Sequence, residues 1–363
     1  MSKPRVIISG GGTGGHIFPA LAIADELKAQ FPHGSILFVG SYNRMEMQRV
    51  PKAGYPIKGL WISGFDRKNM LRNSVFPLKL MWSMLQAFVT LKRFRPNAVI
   101  GTGGFASGPL LYIASLLGIP SMLQEQNAFP GVTNKALAKR VQAICLGSEA
   151  AQKYFPKDKV TITGNPVRAA LHQSITKEAA CTRLGYDATK FTLLVMGGSL
   201  GARKLNQLIS HHLVDIQALG IQLIWQCGQL YAADYSSLGT ENIYVKPFID
   251  DMPATYAAAD LVVSRAGALA ISELCMLGKP TLFIPSPNVA ENHQEKNAQA
   301  LVDKAAAVMI RESAADNTFW PVLRELIDDR SKCQQLSNNI KKFAHPNATK
   351  EIVETFKKIV AHG

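Results

Sequence analysis

Short apolar runs that end at glycine-rich turns and lead into helical patterns recur along this chain. The first run covers residues 5–8, and glycines separate it from a helical pattern near residues 18–30. Near-continuous apolar runs are typical of strands buried on both faces, as in parallel sheets covered by helices. The pattern starts again at residues 191–196, so the chain is predicted to fold as two doubly wound, Rossmann-like α/β domains. The other predicted strands lie at 35–39, 98–100, 120–123, 143–146, 222–226, 243–245, 260–264 and 281–285.

The boundary between the two domains is predicted at a Gly-Asn-Pro turn, residues 164–166, which interrupts the alternating pattern. This gives an N-terminal domain at 1–166 and a C-terminal domain at 167–345. The chain has 363 residues, a length that suits two domains with a sizeable core in each. The last helical pattern, at about 346–363, is amphipathic and charged. In tandem folds of this kind such a helix often packs back on the first domain.

The composition excludes several classes of protein. Apolar residues make up 47% of the chain and charged residues 18%, which is typical of a folded globular protein. The mean hydropathy of +0.05 argues against an integral membrane protein. Glycines and prolines interrupt the uncharged stretch at 97–124, which therefore fits α/β structure better than one spanning helix. Five widely spaced cysteines without a Cys-x-x-Cys pair argue against a zinc site or a disulfide framework and fit a reducing cytosol.

The positive charge is concentrated in the first half of the chain. The whole chain carries a net charge of +14, and residues 1–167, with 20 basic and 7 acidic residues, account for +13 of it. A half-molecule this basic is expected to attract a polyanion, either nucleic acid or an anionic membrane surface.

The segment at 75–88 favours the membrane as the polyanion. It is apolar on more than one helical face, and large apolar side chains beside cations suit a helix that lies in a bilayer interface. A helix that reads DNA would instead carry Asn, Gln, Arg and Ser on its exposed face, so we expect no nucleic-acid partner. A core helix with a solvated cationic end is the alternative interpretation. The predicted membrane patch consists of Val75, Phe76, Leu78, Lys79, Trp82 and Leu85, and the flanking cations are Arg67, Lys68, Arg72, Lys92, Arg93 and Arg95.

The glycine-rich loops predict where a ligand binds. The first, at 10–15, follows a strand and opens a helix, so that its N–H groups can approach phosphate oxygens closely. It satisfies Gly-x-Gly-x-x-Gly, but the second strand ends at Gly40-Ser41 without the acid that a nicotinamide dinucleotide requires. Similar loops at 101–104, 197–201 and 266–268 also follow strands, and ligands of open parallel sheets bind at those carboxyl ends. Loops in both domains predict a cleft where two substrates meet, one of them phosphorylated, although tight packing alone can also require glycine.

Two side chains beside these loops are candidates for chemistry. His16 stands at the start of the first helix, where the positive helix end favours a neutral imidazole that can act as a base. Glu273 lies about one and a half turns into the helix after residues 266–268 and could reach a sugar diol. Alternatively, both residues have only structural roles. His16 would then make a structural hydrogen bond, and Glu273 would be an ordinary acid that interacts with the helix dipole.

Seven motifs together identify a family resemblance. They are GGTGGHIFPALAIADEL (11–27), GTGGFASGP (101–109), EQNAFPGVTNKALA (125–138), TGNPVR (163–168), GGSLGA (197–202), FIDDMPATYAAADLVVSRAGALAISEL (248–274) and NHQEKNA (292–298). With them the chain resembles, over nearly its whole length, the MurG family of bacterial N-acetylglucosaminyltransferases. The resemblance implies a two-domain GT-B fold in which the C-terminal domain holds most of the nucleotide sugar.

The resemblance also implies an activity and its setting. The reaction would be inverting transfer of N-acetylglucosamine from UDP-N-acetylglucosamine to the 4-hydroxyl of MurNAc in undecaprenyl-pyrophosphoryl-MurNAc-pentapeptide (lipid I), giving lipid II. The enzyme would work without a cofactor or bound metal, as a peripheral protein at the cytoplasmic face of the bacterial inner membrane, beside other cell-wall synthesis proteins. Another UDP-sugar-dependent transferase with a lipid acceptor is the closest alternative. A nicotinamide-dependent oxidoreductase and a non-catalytic lipid- or nucleic-acid-binding protein are the more distant ones.

Individual site residues follow from the same resemblance. In the first domain, the resemblance places Thr13, Gly14 and Gly15 against the transferred sugar and diphosphate, and Asn127 on the N-acetylglucosamine. It places Arg168 and Ser199 on the nucleotide and its phosphates, the backbone of Ile249 on the uracil edge, Glu273 on the ribose and Gln294 on the sugar hydroxyls. The diphosphate would also contact the start of a helix, at Ala268, Leu269, Ala270, Ile271 and Ser272. Many members carry histidine before the Glu-Gln-Asn motif, whereas this chain has Gln124. Position 124 is therefore not expected to act as an acid or base, which leaves His16 as the predicted catalytic base.

Overall fold

The computed structural model describes residues 3–64, 74–172, 175–198, 200–289 and 292–361. It divides into two compact units. The first consists of Met1–Ala169 and His345–Gly363, and the second of Ala170–Ala344. Val167 and Arg168 belong to the first unit in this division, whereas the predicted boundary lies after residue 166. The hydroxyl of Thr349 donates to the carbonyl of Val167 at 3.4 Å, which ties this segment to the C-terminal helix.

The first unit is built on a sheet of seven parallel strands in the order β3-β2-β1-β4-β5-β6-β7. The central strands β1, β4 and β5 are buried along nearly their whole length, as their apolar sequences require. The strands are β1 (Arg5–Gly10), β2 (Ser35–Ser41), β3 (Ile57–Leu60), β4 (Ala98–Gly103), β5 (Ser121–Glu125), β6 (Ala143–Leu146) and β7 (Val160–Ile162). The helices are α1 (Gly14–Gln30), α2 (Glu46–Lys52), α3 (Phe76–Phe94), α4 (Ser107–Leu116) and α5 (Val132–Leu137).

The second unit repeats this design with six parallel strands in the order β10-β9-β8-β11-β12-β13. Its strands are β8 (Thr192–Met196), β9 (Gln222–Gln226), β10 (Ile243–Lys246), β11 (Leu261–Ser264), β12 (Thr281–Phe283) and β13 (Val308–Met309). Its helices are α6 (Lys177–Leu184), α7 (Arg203–His211), α8 (Leu213–Ala218), α9 (Ala232–Tyr235), α10 (Met252–Ala258), α11 (Ala268–Leu277), α12 (His293–Val302), α13 (Ala315–Asp328) and α14 (Arg330–Ile340). The prediction of two doubly wound parallel α/β sheets is therefore confirmed.

The last helix of the chain completes the first unit. This helix, α15 (Ala348–Ala361), packs against α1 and contributes Ile352, Val353 and Phe356 to a buried cluster that contains Val6 and Ile8 of β1. All three α15 side chains are fully buried. The core on this face of the sheet is thus assembled from both ends of the sequence.

Each sheet has one position at which the strand order reverses direction. In the first sheet it lies between β1 and β4, and in the second between β8 and β11. The loops that leave these strands turn to opposite sides of the sheet, which opens a crevice at the carboxyl ends where ligands of such folds bind. The glycine-rich loops singled out from the sequence are the loops at these two positions.

Candidate active site

The two glycine-rich loops of the first unit lie directly against each other. The N–H of Gly11 donates to the carbonyl of Gly103 at 3.2 Å. Gly104 has a φ of +94°, and a Cβ on it would lie 2.5 Å from the carbonyl oxygen of Gly11. These glycines therefore serve close packing of backbone on backbone. Gly15, in contrast, is exposed, and a Cβ there would come no closer than 3.6 Å to the hydroxyl of Thr13.

Helix α1 presents its N-terminus beside this loop. Thr13 is the N-cap with extended backbone angles, and its carbonyl accepts from the N–H groups of His16 and Ile17 at 3.1 and 3.2 Å. Thr13 is exposed and Gly14 half-buried, so the N–H groups at the start of the helix face outward. The positive end of the helix dipole makes this a favourable place for an anionic ligand.

A buried carboxylate that the sequence analysis did not single out holds this loop. Glu46, at the start of α2, is fully buried. Its carboxylate accepts from the N–H of Gly12 at 2.9 Å and from the N–H of Ser41 at 2.9 Å. The loop after β1 is thereby tied to the end of β2. The sequence contains one signal for this role. Glu46 lies five residues after the end of β2 at Ser41, and it is one of only 7 acidic residues among residues 1–167.

His16 is held by contacts on its backbone and on its ring. The carbonyl of His16 accepts from the hydroxyl of Thr102 at 2.7 Å, and Nδ1 lies 2.9 Å from Oε1 of Gln126. Gly103 leaves room for the ring, because a Cβ on it would lie 2.7 Å from Nδ1. The imidazole is half-buried at the crevice between β1 and β4. The structural hydrogen bond, which is the alternative interpretation of His16, is thus present at Nδ1.

The loop after β5 is organised by Glu125, which is buried. Its Oε1 accepts from the N–H and from Nδ2 of Asn127 at 3.0 and 3.2 Å, and its Oε2 accepts from the N–H of Gly131 at 3.1 Å and from Nδ2 of Asn134 at 2.8 Å. The amide of Asn127 therefore has a fixed orientation, with its nitrogen toward Glu125 and its oxygen directed away. Asn127 is half-buried and follows directly after Gln126, which contacts His16.

Arg168 lies beside helix α1. Its guanidinium carbon stands 5.0 Å from the ring centroid of Phe18, a cation–π contact that places the positive charge next to the helix that begins at Gly14. The structure therefore brings Arg168 into the first unit with Thr13, Gly14, Gly15 and His16.

In the second unit, the side chain of Gln226 connects two of the predicted site segments. Its Nε2 donates to the carbonyl of Gly198 at 3.0 Å, and its Oε1 accepts from the N–H of Ile249 at 3.0 Å. The N–H of Ile249 is thus engaged within the protein. Ser199, in the same loop, lies outside the described residues, as do Arg67, Lys68 and Arg72 of the predicted cationic flank.

Helix α11 begins at the crevice between β8 and β11. Gly267 is its N-cap, and the first intrahelical bond runs from the N–H of Ile271 to the carbonyl of Gly267 at 3.0 Å. The N–H groups of Ala268, Leu269 and Ala270 therefore precede the first bond of the helix and are available to an anion. Ser272 donates its hydroxyl to the carbonyl of Ala268 at 3.0 Å, so its side chain is committed to the helix itself.

Glu273 is the first largely buried residue of α11. Its Oε2 accepts from the hydroxyl of Tyr256, which is itself buried, at 2.9 Å. A carboxylate fixed in this way holds a defined geometry and can accept hydrogen bonds from a ligand's hydroxyl groups. Tyr256 was missed from the sequence, because an aromatic residue in an apolar helix is indistinguishable from a core residue there.

Gln294 is anchored through the oxygen of its amide. Its Oε1 accepts from the N–H of Ser286 at 2.9 Å, which fixes the amide with its nitrogen on the side away from Ser286. Its helix α12 reaches the loop before α11, since Nδ2 of Asn297 donates to the carbonyl of Ala266 at 3.4 Å. The second unit thus brings together the two segments that carry Glu273 and Gln294.

Helix α3 exposes many of its large apolar side chains. The residues that it buries are Ser83, Ala87, Thr90 and Leu91. Val75, Leu78, Leu80, Met81, Trp82, Leu85 and Phe88 are exposed, Trp82 by 50% and Met81 by 67%. Among the predicted patch residues, Phe76 packs against the core and Lys79 is half-buried, with Nζ donating to the hydroxyl of Ser63 at 3.2 Å. No helix among the described residues combines the length and apolar character needed to cross a bilayer.

Comparison with known proteins agrees with this architecture. The glycosyltransferase family 28 N-terminal domain matches residues 6–146, and the glycosyltransferase family 28 C-terminal domain matches residues 192–352. The crystal structure of Acinetobacter baumannii MurG is 29% identical in sequence and superposes with a TM-score of 0.74, covering 98% of this chain and 99% of that one.

Two curated relatives are similar over almost their full length. A protein of Flavobacterium psychrophilum is 52% identical over 99% of both chains, and one of Christiangramia forsetii is 51% identical over 98% of both. Each is named UDP-N-acetylglucosamine–N-acetylmuramyl-(pentapeptide) pyrophosphoryl-undecaprenol N-acetylglucosamine transferase. The chain belongs to the MurG family of glycosyltransferases that these relatives represent.

Proposed function

We propose that the chain transfers N-acetylglucosamine from UDP-N-acetylglucosamine to the 4-hydroxyl of MurNAc in undecaprenyl-pyrophosphoryl-MurNAc-pentapeptide, with inversion at the anomeric carbon. The observation that carries this proposal is the 52% identity, over 99% of both chains, to a relative whose name states this donor and this acceptor. The arrangement of helix starts and polar side chains at both crevices supports it.

The second unit is assigned to the donor. The N–H groups at Ala268, Leu269 and Ala270 bind the diphosphate, and the helix dipole of α11 adds to their attraction for the anion. Negative charge grows on the diphosphate as UDP departs, and preorganised N–H donors of this kind contribute about 3 kcal/mol each to the transition state. Glu273 accepts from the ribose hydroxyls, and Gln294 donates to the sugar hydroxyls through its amide nitrogen. The carbonyl of Ile249 accepts from the uracil N–H, and Ser199 binds phosphate.

The first unit is assigned to the acceptor side of the reaction. His16 removes the proton of the MurNAc 4-hydroxyl while the oxygen of that hydroxyl forms a bond to the anomeric carbon of N-acetylglucosamine. The bond between the anomeric carbon and the UDP oxygen breaks, and its electron pair stays on UDP. A positioned base of this kind accelerates a reaction by about 10²- to 10⁴-fold. Thr13, Gly14 and Gly15 contact the sugar and diphosphate at the start of α1, and Arg168 adds a positive charge beside the same helix. Asn127 binds the transferred sugar through its amide oxygen, because its nitrogen is held by Glu125.

Helix α3 is assigned to the membrane surface that carries the lipid acceptor. The exposed side chains of Trp82 and Leu85 form an apolar surface on α3 that is unfavourable in water unless another surface covers it. In a bilayer interface the same side chains enter the acyl boundary, and Lys92, Arg93 and Arg95 at the end of the helix approach anionic headgroups. We therefore assign the protein to the cytoplasmic leaflet as a peripheral protein.

The proposal is tested by mixing the protein with UDP-N-acetylglucosamine and lipid I and measuring UDP release together with formation of the disaccharide lipid. Release that requires both substrates is expected. Two controls define the specificity: lipid I replaced by undecaprenyl phosphate, and UDP-N-acetylglucosamine replaced by UDP-glucose. Transfer that proceeds equally well with undecaprenyl phosphate would assign another lipid acceptor, and well-folded protein that releases no UDP with lipid I would refute the proposal.

A further inference from the structure

We propose that three buried amides, Gln124, Gln126 and Asn165, fix the proton of neutral His16 on Nδ1 and thereby present Nε2 as the basic atom. Gln126 is then a positioning residue, which acts on the reaction through His16. The inference deepens the proposed function and rests on it only for the role of His16 as the base.

Backbone carbonyl groups fix the orientation of the Gln126 amide. Its Nε2 end faces the carbonyl oxygens of Thr102 at 2.8 Å and Gln124 at 3.2 Å. A carbonyl oxygen can only accept a hydrogen bond, so the end of the amide that faces two of them has to be the NH2 group. The other end of Gln126, directed at His16, is therefore the oxygen.

The neighbouring amides of Gln124 and Asn165 hold this orientation. Nε2 of Gln126 donates to Oε1 of Gln124, Nε2 of Gln124 donates to Oδ1 of Asn165 at 3.1 Å, and Nδ2 of Asn165 donates to the backbone carbonyl of Gln126 at 3.2 Å. The three side chains are 0%, 2% and 4% exposed for Gln124, Gln126 and Asn165. Turning one amide would place like groups against each other away from water, where an unsatisfied polar group is strongly unfavourable.

The orientation of the Gln126 amide decides which ring nitrogen of His16 carries the proton. Oε1 of Gln126 lies 2.9 Å from Nδ1 of His16 and can only accept, so Nδ1 carries the proton and donates. In the neutral ring the other nitrogen, Nε2, then carries the lone pair. Neutral histidine in water favours the opposite form, with the proton on Nε2 and no lone pair there. The amide network therefore selects the form of the ring that can take a proton at Nε2.

Gln124 has a defined place in this network. Gln124 is buried and accepts from Gln126 while donating to Asn165, so its role is to link the two other amides. A substitution that removes the Gln124 amide should weaken the selection at His16 without removing the direct partner of the ring. Gln126→Leu is thus expected to have a larger effect than Gln124→Leu.

The inference is tested on the whole protein by nitrogen NMR of ¹⁵N-labelled histidine at about pH 8.5, where the free imidazole group is neutral. The His16 signals are assigned by their loss in a His16→Asn variant. In the wild type we expect a protonated Nδ1 and an unprotonated Nε2. In Gln126→Leu we expect mainly the Nε2-protonated form, together with a loss of kcat by roughly tenfold or more and an unchanged KM for UDP-N-acetylglucosamine.

The matched control is Gln222→Leu, which removes a buried amide of the second unit that bonds to the backbone of Asp187 at 2.8 Å. It should lower stability without changing the His16 signals or kcat. A wild-type protein with the proton on Nε2 would overturn the inference, and so would a folded Gln126→Leu variant that keeps both the wild-type form and the wild-type kcat. The wild-type spectrum decides the question even if Gln126→Leu does not fold. Because the spectrum needs no substrate, failure of lipid I transfer would overturn the proposed function and leave this test readable.

Discussion

The carboxylate of Glu46 accepts a hydrogen bond from the backbone N–H of Gly12 at 2.9 Å, and thereby joins the start of helix α2 to the first glycine-rich loop. Its second oxygen binds the N–H of Ser41 at 2.9 Å, so that one fully buried side chain satisfies two loop amides. In Glu46→Gln, the NH2 group of the new side chain faces one of these N–H donors. We expect the free energy of unfolding, measured with urea, to fall by about 1–3 kcal/mol.

The control for this substitution is Glu241→Gln, at an exposed position of the second unit. An exposed change of this kind is expected to alter the free energy of unfolding by less than about 0.5 kcal/mol. Equal effects of the two substitutions would show that Glu46 does not hold the loop.

His16→Ala is expected to lower kcat for transfer to lipid I by about 10²- to 10⁴-fold, because the base is lost. The affinity for UDP, measured by calorimetry, should stay within about twofold of the wild type, since the imidazole is assigned to the acceptor hydroxyl. Wild-type turnover in this variant would remove the assignment of His16 as the base.

Tyr256→Phe removes the hydroxyl that donates to Glu273 and keeps the buried ring. The carboxylate then loses a fixed partner, and we expect the affinity for UDP to fall by roughly threefold to tenfold, with a larger loss in Glu273→Ala. Calorimetric titration with UDP measures both. Tyr186→Phe, which removes the hydroxyl of a ring whose centroid lies 4.0 Å from that of Tyr244 in the same unit, is the matched control. Unchanged affinity in Glu273→Ala would reject the ribose assignment.

Trp82→Glu places a charge in the middle of the exposed apolar surface of α3. Insertion of a large apolar side chain contributes about 1.5–3 kcal/mol, so binding to vesicles that contain anionic lipid should weaken by about 10-fold or more. Sedimentation with vesicles measures this binding. Val214→Glu, at a position of the second unit that is 76% exposed, serves as the control and should bind like the wild type. Equal binding of all three proteins would reject the assignment of α3 to the membrane.

Because its pKa is lowered in the folded state, Lys279 is expected to make the free energy of unfolding depend on pH. Burial lowers the pKa of Lys279 to about 8, Lys177 adds to this effect, and the negative charge of Asp260 opposes it. In the unfolded chain the lysine pKa is about 10.4, so between these two values the unfolded state binds a proton that the folded state does not. Stability therefore rises with pH across this window, by about 3 kcal/mol in total.

Urea unfolding of the wild type and Lys279→Met between about pH 7.5 and 10.5 checks this expectation. The stability of the wild type relative to Lys279→Met should increase with pH. The exposed Lys304 provides a control in Lys304→Met, which should follow the wild type. Parallel curves for Lys279→Met and the wild type would contradict the expected pH dependence.

The buried strands of both sheets could be predicted because their residues are apolar on both faces. The uncharged stretch at 97–124 forms β4, α4 and the first part of β5, as its glycines and prolines indicated. The edge strands β3, β7 and β13 were not predicted. They are two to four residues long and only partly buried, and in β3 and β7 a lysine or a threonine interrupts the apolar residues.

The glycine-rich loops, His16 and Glu273 could be found in the sequence because a strand, a glycine turn and a helix follow each other locally. Glu46, Gln126 and Tyr256 could not be found in this way. Each acts through a partner that is 17 to 110 residues away in the sequence, such as Gln126 on His16. Only the fold brings these partners within hydrogen-bond distance, and one sequence gives no sign of which buried polar side chains will meet.

The place of α15 has a consequence for how the polypeptide matures. Ile352, Val353 and Phe356 fill the core between α1 and the strands β5 and β6, although they leave the ribosome only after the whole of the second unit. Until they emerge, Met122 of β5 and Cys145 of β6 on that face of the first sheet lack their covering helix, while the second unit, Ala170–Ala344, is already complete in sequence. The unit that is translated first is therefore the last to close its core, and a nascent chain stalled before residue 348 would expose an apolar surface that chaperones recognise.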